Sequence, residues 1–176
     1  MRYIFLFFAV GLLAIFAWAR RGRVPAAPPR VAAVVLASAR PRPSRADSVV
    51  VFALRQLGTP YTYAGTTPAT GFDCSGFLQY VYGHVGVATP HSTALLITAG
   101  QPVPRAQAQP GDLVVFTGTA AGASTPGHAG IVLTAGSGVL RFVHSSSARS
   151  ASGVKISQVE GTDYERRFMQ VRRVIF

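Results

Sequence analysis

A single cysteine, Cys74, stands among the 176 residues of the chain. No internal disulfide is available, so the fold has to rest on a hydrophobic core. The stretch able to build one runs from Ala46 to Phe176, 131 residues, a length that supports one ordinary domain. Before Ala46 the chain has a different character. Eight of the 17 basic residues lie there and no acidic residue does, whereas the remainder carries nine basic and six acidic residues, a net charge of +3. The overall charge of +11 thus belongs to the tail. No aromatic-interleaved basic patch or groove-reading motif accompanies it, which argues against nucleic acid as a partner. An arginine-bearing tail of this kind suits anionic lipid or wall polymer.

The tail divides in two. Residues 1–23 read as a signal peptide or membrane anchor, in which Arg2 precedes the uncharged apolar run Tyr3 to Ala19. Ala17-Trp18-Ala19 fits a small-x-small cleavage pattern, while Arg20, Arg21 and Arg23 directly after it favour retention. Cleavage and retention both stay open. Residues 24–45, rich in Pro, Ala and Arg, read as a linker partly extended by its prolines. Residues 46–176 are the expected folded domain.

Ser44-Arg45-Ala46-Asp47 has the form of a capping box opening the first domain helix. Val50, Leu54 and Leu57 are its expected buried stripe, with Gly58 as its stop. Asp73 is a favoured N-cap, which puts Cys74 in the first turn of a helix carrying Leu78, Val81 and Val85 on one face. Free N–H groups and the helix dipole there are expected to lower the thiol pKa from about 8.5. A short helix is predicted over Ser92 to Thr98. Strands are predicted at Asp112–Phe116, Ala129–Leu133, Leu140–His144, Val154–Ile156 and Phe168–Val174.

A lone cysteine is more often a small buried residue than a nucleophile, and only a suitable base reverses those odds. The candidates are His84, His91, His128 and His144. His128 opens one apolar run and His144 ends another, with Gly136-Ser137-Gly138 as hairpin punctuation between them. Pairing the runs brings both imidazoles towards one sheet face, His128 as general base and His144 holding its second nitrogen. Two histidines at strand ends are, taken alone, as often satisfied polar structure as catalysis. Asp112, after Pro110-Gly111, reads as a turn residue rather than a triad acid. No zinc spacing, phosphate loop or internal repeat is present, so neither metal nor cofactor is expected.

At this point the motifs resemble a known family. Leu57-Gly58-Thr59-Pro60-Tyr61-Thr62-Tyr63-Ala64-Gly65 followed by Gly71-Phe72-Asp73-Cys74-Ser75-Gly76-Phe77 is similar to the opening of an NlpC/P60 domain. Pro110-Gly111-Asp112-Leu113, Gly127-His128-Ala129-Gly130-Ile131 and Phe142-Val143-His144 follow in the family's order. The resemblance implies an α+β, papain-like fold, with N-terminal helices, the nucleophile at a helix N-terminus, and an antiparallel β-sheet behind it. It implies a cysteine endopeptidase that hydrolyses peptidoglycan stem peptides between D-glutamate and a diamino acid. Carried over by position, Cys74 is nucleophile, His128 base and His144 the orienting group. Tyr61 helps at the oxyanion or positions substrate, and Asp73 and Ser75 flank the nucleophile. Two departures stand out. The chain has Ala64-Gly65 where Gly-Gly is frequent, and Thr89-Pro90-His91-Ser92 where many members carry Pro-Arg before Thr or Ser. His91 and Ser92 are therefore weak substrate-binding candidates, His91 only when protonated. An acyltransferase or amidase, or a silent wall-binding module, remains the alternative. Wall chemistry implies export to the periplasm or envelope despite the arginines that follow the leader, and a monomer is favoured.

Overall fold

The computed structural model describes residues 43–135 and 138–176. The expected leader, the linker up to Arg42, and Gly136-Ser137 of the expected hairpin lie outside the described residues.

Helix α1 spans Arg45–Leu54. Its capping box forms as the sequence suggests: the Asp47 N–H donates to Ser44 Oγ at 3.0 Å and the Ser44 N–H donates back to Asp47 Oδ2 at 2.9 Å. These bonds satisfy two backbone donors that the helix itself leaves free. The buried stripe is not the expected one. Val49 and Ala53 are fully buried, Val50 and Leu54 are half-buried, and Leu57 is 45% exposed. The run Val49 to Leu54 is apolar on every side, so periodicity alone did not select a face and packing against the next helix and the sheet did. Gly58, at φ +84°, directs its N–H onto the Val154 carbonyl at 2.9 Å and carries the chain to the sheet.

A short strand pair, β1 (Thr66–Thr67) and β2 (Gly71–Phe72), leads into α2, Cys74–His84. Asp73 caps α2, its side chain accepting from the Gly76 N–H at 2.7 Å. Phe77, Leu78, Val81 and Tyr82 are fully buried and Val85 packs at the edge of the same core. The Tyr82 hydroxyl donates to the Gly111 carbonyl at 2.9 Å and so ties α2 to the turn before the sheet. Helix α3 is shorter than expected, Thr93–Leu96.

The main sheet has six antiparallel strands in the order β3-β8-β4-β5-β6-β7. They are β3 (Gln101–Val103), β4 (Leu113–Thr117), β5 (Pro126–Thr134), β6 (Arg141–Ser146), β7 (Gly153–Gln158) and β8 (Phe168–Arg173). The five anticipated strands are present, with ends shifted by at most three residues. Strand β3, the 3-10 turn Arg105–Gln107 and helix α4 (Asp163–Arg167) were not anticipated. Alternation along the strands separates two cores. Leu113, Val115, Ala129, Ile131 and Val143 pack with α1 and α2 on one face. Val114, Phe116, Val132 and Phe142 pack on the other, with Tyr164 of α4. Asp112 is buried and accepts from the Arg173 guanidinium at 2.8 Å through each carboxylate oxygen. That pairing fixes the entry to β4, the structural role expected of a turn residue.

Candidate active site

Cys74 enters the site from the first turn of α2, because the Asp73 cap turns the chain into the helix at that residue. His128 enters from the start of β5, one residue before Ala129. Alternation sends the Ala129 methyl into the helix-side core and the His128 ring to the other face, among Phe116, His144 and Tyr164. Gly130, two residues on, is the close-approach position of this strand. A Cβ there would stand 2.6 Å from the Phe142 ring and 3.2 Å from the His144 Cβ.

The imidazoles are linked in series. His128 Nε2 lies 2.8 Å from His144 Nδ1, with the rings perpendicular at 88°, and His144 Nε2 lies 3.0 Å from Ser157 Oγ. A base that accepts the Cys74 proton has only Nδ1 of His128 left for it. Nε2 of His128 then donates to His144 Nδ1, and His144 Nε2 donates to Ser157, so one tautomer assignment satisfies the whole chain. Cys74 and His128 line the same cavity, about 580 Å³, whose walls include Tyr61, Thr119, Lys155 and Tyr164.

The electrostatics depart from the helix-terminus expectation. Burial, reinforced by the Asp73 carboxylate, pushes the Cys74 thiol up to about 11, against the pull of the Ala129, Ser75 and Cys74 N–H groups. Desolvation outweighs the helix end here. Both imidazoles are driven well below their ordinary value, chiefly by burial in the aromatic surroundings. For His128 the charges of Arg167 and Lys155 add to this, and for His144 those of His128, Lys155 and Arg167 do. The site at rest therefore holds a neutral thiol beside neutral imidazoles. Burial also raises the Tyr61 hydroxyl, and ionisation of Cys74 raises it further.

The structure brings Tyr61, Cys74 and His128 to one cavity and sets His144 directly behind His128. Asp73 and Ser75 flank Cys74 but engage each other, Ser75 Oγ donating to Asp73 Oδ1 at 3.1 Å. His91 Nε2 lies 3.0 and 2.9 Å from the two Asp73 oxygens, beside α2 and outside the walls of the Cys74 cavity. Ser92 precedes α3 without a side-chain cap bond and is also outside that cavity. His84 stacks on Phe52 at 3.6 Å, away from the site. Sequence reasoning missed Ser157, Lys155, Tyr164 and Arg167. The one available signal was the alternation Lys155-x-Ser157, which begins in the strand predicted at Val154–Ile156 and runs one residue past it. Helix α4, five residues long, has no periodicity to read. Among the described residues no group of His, Cys, Asp and Glu side chains is disposed to hold a metal ion.

Comparison with known proteins identifies the family and the fold. The family model described as NlpC/P60 family matches residues 58–173. A probable endopeptidase of Mycobacterium tuberculosis is 42% identical over 100 residues, 57% of this chain and 23% of that protein. A gamma-DL-glutamyl hydrolase of Bacillus subtilis is 36% identical over 134 residues, 74% of this chain and 30% of that protein. The crystal structure of an NlpC/P60 family protein from Bacillus cereus superposes with a TM-score of 0.64 at 27% identity, covering 74% of this chain and 40% of that one. The chain belongs to the NlpC/P60 family and has its α+β fold. It spans less than a third of the length of either relative.

Proposed function

We propose that this protein is a cysteine endopeptidase acting on peptidoglycan stem peptides, at the bond between D-glutamate and a diamino acid. The observation that carries the proposal is the series His128, His144, Ser157, with Cys74 and His128 lining one cavity. The name of the Bacillus subtilis relative, a gamma-DL-glutamyl hydrolase, is in keeping with that bond.

In this mechanism the substrate carbonyl sits over the start of α2. Proton transfer from Sγ to His128 Nδ1 accompanies formation of the Sγ–C bond, because the resting thiol is neutral. Positive charge then develops on His128, and His144 accepts a hydrogen bond from its Nε2 while Ser157 accepts one from His144. The oxyanion meets the first-turn N–H groups of α2 and the Tyr61 hydroxyl. His128 returns the proton to the leaving nitrogen as the C–N bond breaks. Water, deprotonated by His128, then releases the acyl group from the thioester. Asp73, Ser75 and His91 set the nucleophile loop rather than touch the reacting atoms.

Residues 1–23 are proposed as an export leader or anchor and 24–45 as a tether, so that residues 46–176 act outside the inner membrane, in the periplasm or envelope. Among the described residues no helix is long and apolar enough to cross a membrane. N-terminal sequencing of the mature protein and protease access in spheroplasts test export and cleavage. The activity is tested by resolving muropeptide products by mass. Peptides cut at the D-glutamyl bond by the native protein and not by Cys74→Ser support the proposal. A transferred acyl group makes it an acyltransferase instead, and binding without turnover makes it a wall-binding module.

A further inference from the structure

The cavity beside Cys74 carries more positive charge than the proposed chemistry uses. Arg149, Lys155 and Arg167 all line it, against one acid, Asp163. Arg167 is committed: it is 8% exposed, donates to Asp163 Oδ2 at 2.6 Å and to the Thr117 carbonyl at 2.9 Å, and stacks over Tyr164. Asp163 is likewise occupied by Arg166 and Arg167. Among the described residues, Lys155 and Arg149 are paired with no carboxylate. Lys155 is half-buried on the cavity wall, which leaves its ammonium available to an anionic ligand.

Its position says which part of a substrate would supply that anion. On β7, Lys155 is the register partner of His144 and stands two residues from Ser157, so all three share one sheet face. It is therefore on the histidine side of Cys74. That side receives the fragment whose nitrogen leaves, because His128 protonates that nitrogen. Resting on the peptidase reading above, we infer that Lys155, supported by Arg149, forms a carboxylate subsite for the residue that supplies the leaving amine. The preferred substrate then has a diamino acid with a free second carboxylate, rather than its amide or a diamino acid with no such group.

The test uses the full chain and two γ-D-glutamyl peptides that differ only in whether that carboxylate is free or amidated. The native protein is expected to favour the free acid by ten-fold or more in kcat/KM. Lys155→Met is expected to slow the acid at least ten-fold more than the amide, mostly through KM, and Lys155→Arg to restore the preference. Equal native rates on both peptides overturn the subsite, as does equal loss on both in Lys155→Met with Lys155→Arg failing to rescue. Cleavage of neither peptide by the native protein overturns the peptidase reading and the subsite with it.

Discussion

Acidification should destabilise this protein well before its carboxylates titrate. His128 and His144 have folded-state pKa values depressed below the ordinary 6.5 by burial. A group held neutral in this way contributes its full stability above the unfolded value. That contribution shrinks as pH falls below about 6.5, because the unfolded chain takes up protons that the folded site refuses. Between pH 7.5 and pH 5 each imidazole costs roughly 2 kcal/mol, so the pair costs about 4 kcal/mol, an appreciable part of a typical domain's stability. Asp47, Glu160 and Asp163 have lowered values, and their stabilisation is lost only as pH falls through and below the ordinary carboxylate range. Stopping at pH 5 keeps them largely out of the window. Urea unfolding of the native protein and of His144→Asn at pH 7.5, 6.5, 5.5 and 5.0 reads the effect. The native curve should steepen below pH 6.5, and the variant should lose about half of that pH dependence. A native stability flat from pH 7.5 to 5, or an equal slope in the variant, would refute the neutral histidine pair.

Three other outcomes follow from the same geometry. Cys74 should react slowly with iodoacetamide at pH 7.5, because a thiol raised from 9.0 to about 11 loses roughly a hundred-fold in thiolate and regains about ten-fold in nucleophilicity; labelling faster than free cysteine would restore the helix-terminus expectation. Ala64 has φ +57°, so Ala64→Gly should raise stability by about 0.5–1 kcal/mol in urea melts, and a loss would show that the methyl packs productively. Ser157→Ala removes the acceptor at the end of the histidine series, so kcat should fall about three- to thirty-fold with KM nearly constant; an unchanged kcat would take Ser157 out of the mechanism.

How far the sequence reached depended on whether a signal was local. Asp73 as cap, Cys74 in the first turn and the strand carrying His128 are written in neighbouring residues, and they form in place. The capping box at Ser44–Asp47 is equally local. The buried face of α1 was not legible, because Val49 to Leu54 is apolar all round and only packing against α2 and the sheet distinguishes Val49 and Ala53. The thiol pKa was misjudged for a similar reason. A helix N-terminus is visible in sequence, whereas the desolvation that overrides it comes from the strands and aromatic rings closing over the site. His91 looked like a substrate ligand by its position in a motif, and its bonds to Asp73 emerge only when α2 and the segment before α3 come together. Ser157 lies 13 residues from the histidine it contacts, and the β6–β7 register that joins them has no sequence signature.

The central claim is that Cys74 forms a covalent acyl intermediate with the D-glutamyl side of a stem peptide. Intact-protein mass spectrometry after rapid acid quench of a reaction with a γ-D-glutamyl stem peptide tests it directly. The predicted result is a mass increase equal to the glutamyl-side acyl group, mapped to Cys74, appearing before steady state and absent in Cys74→Ala. Product formation with no adduct, continuing in Cys74→Ala, would contradict it.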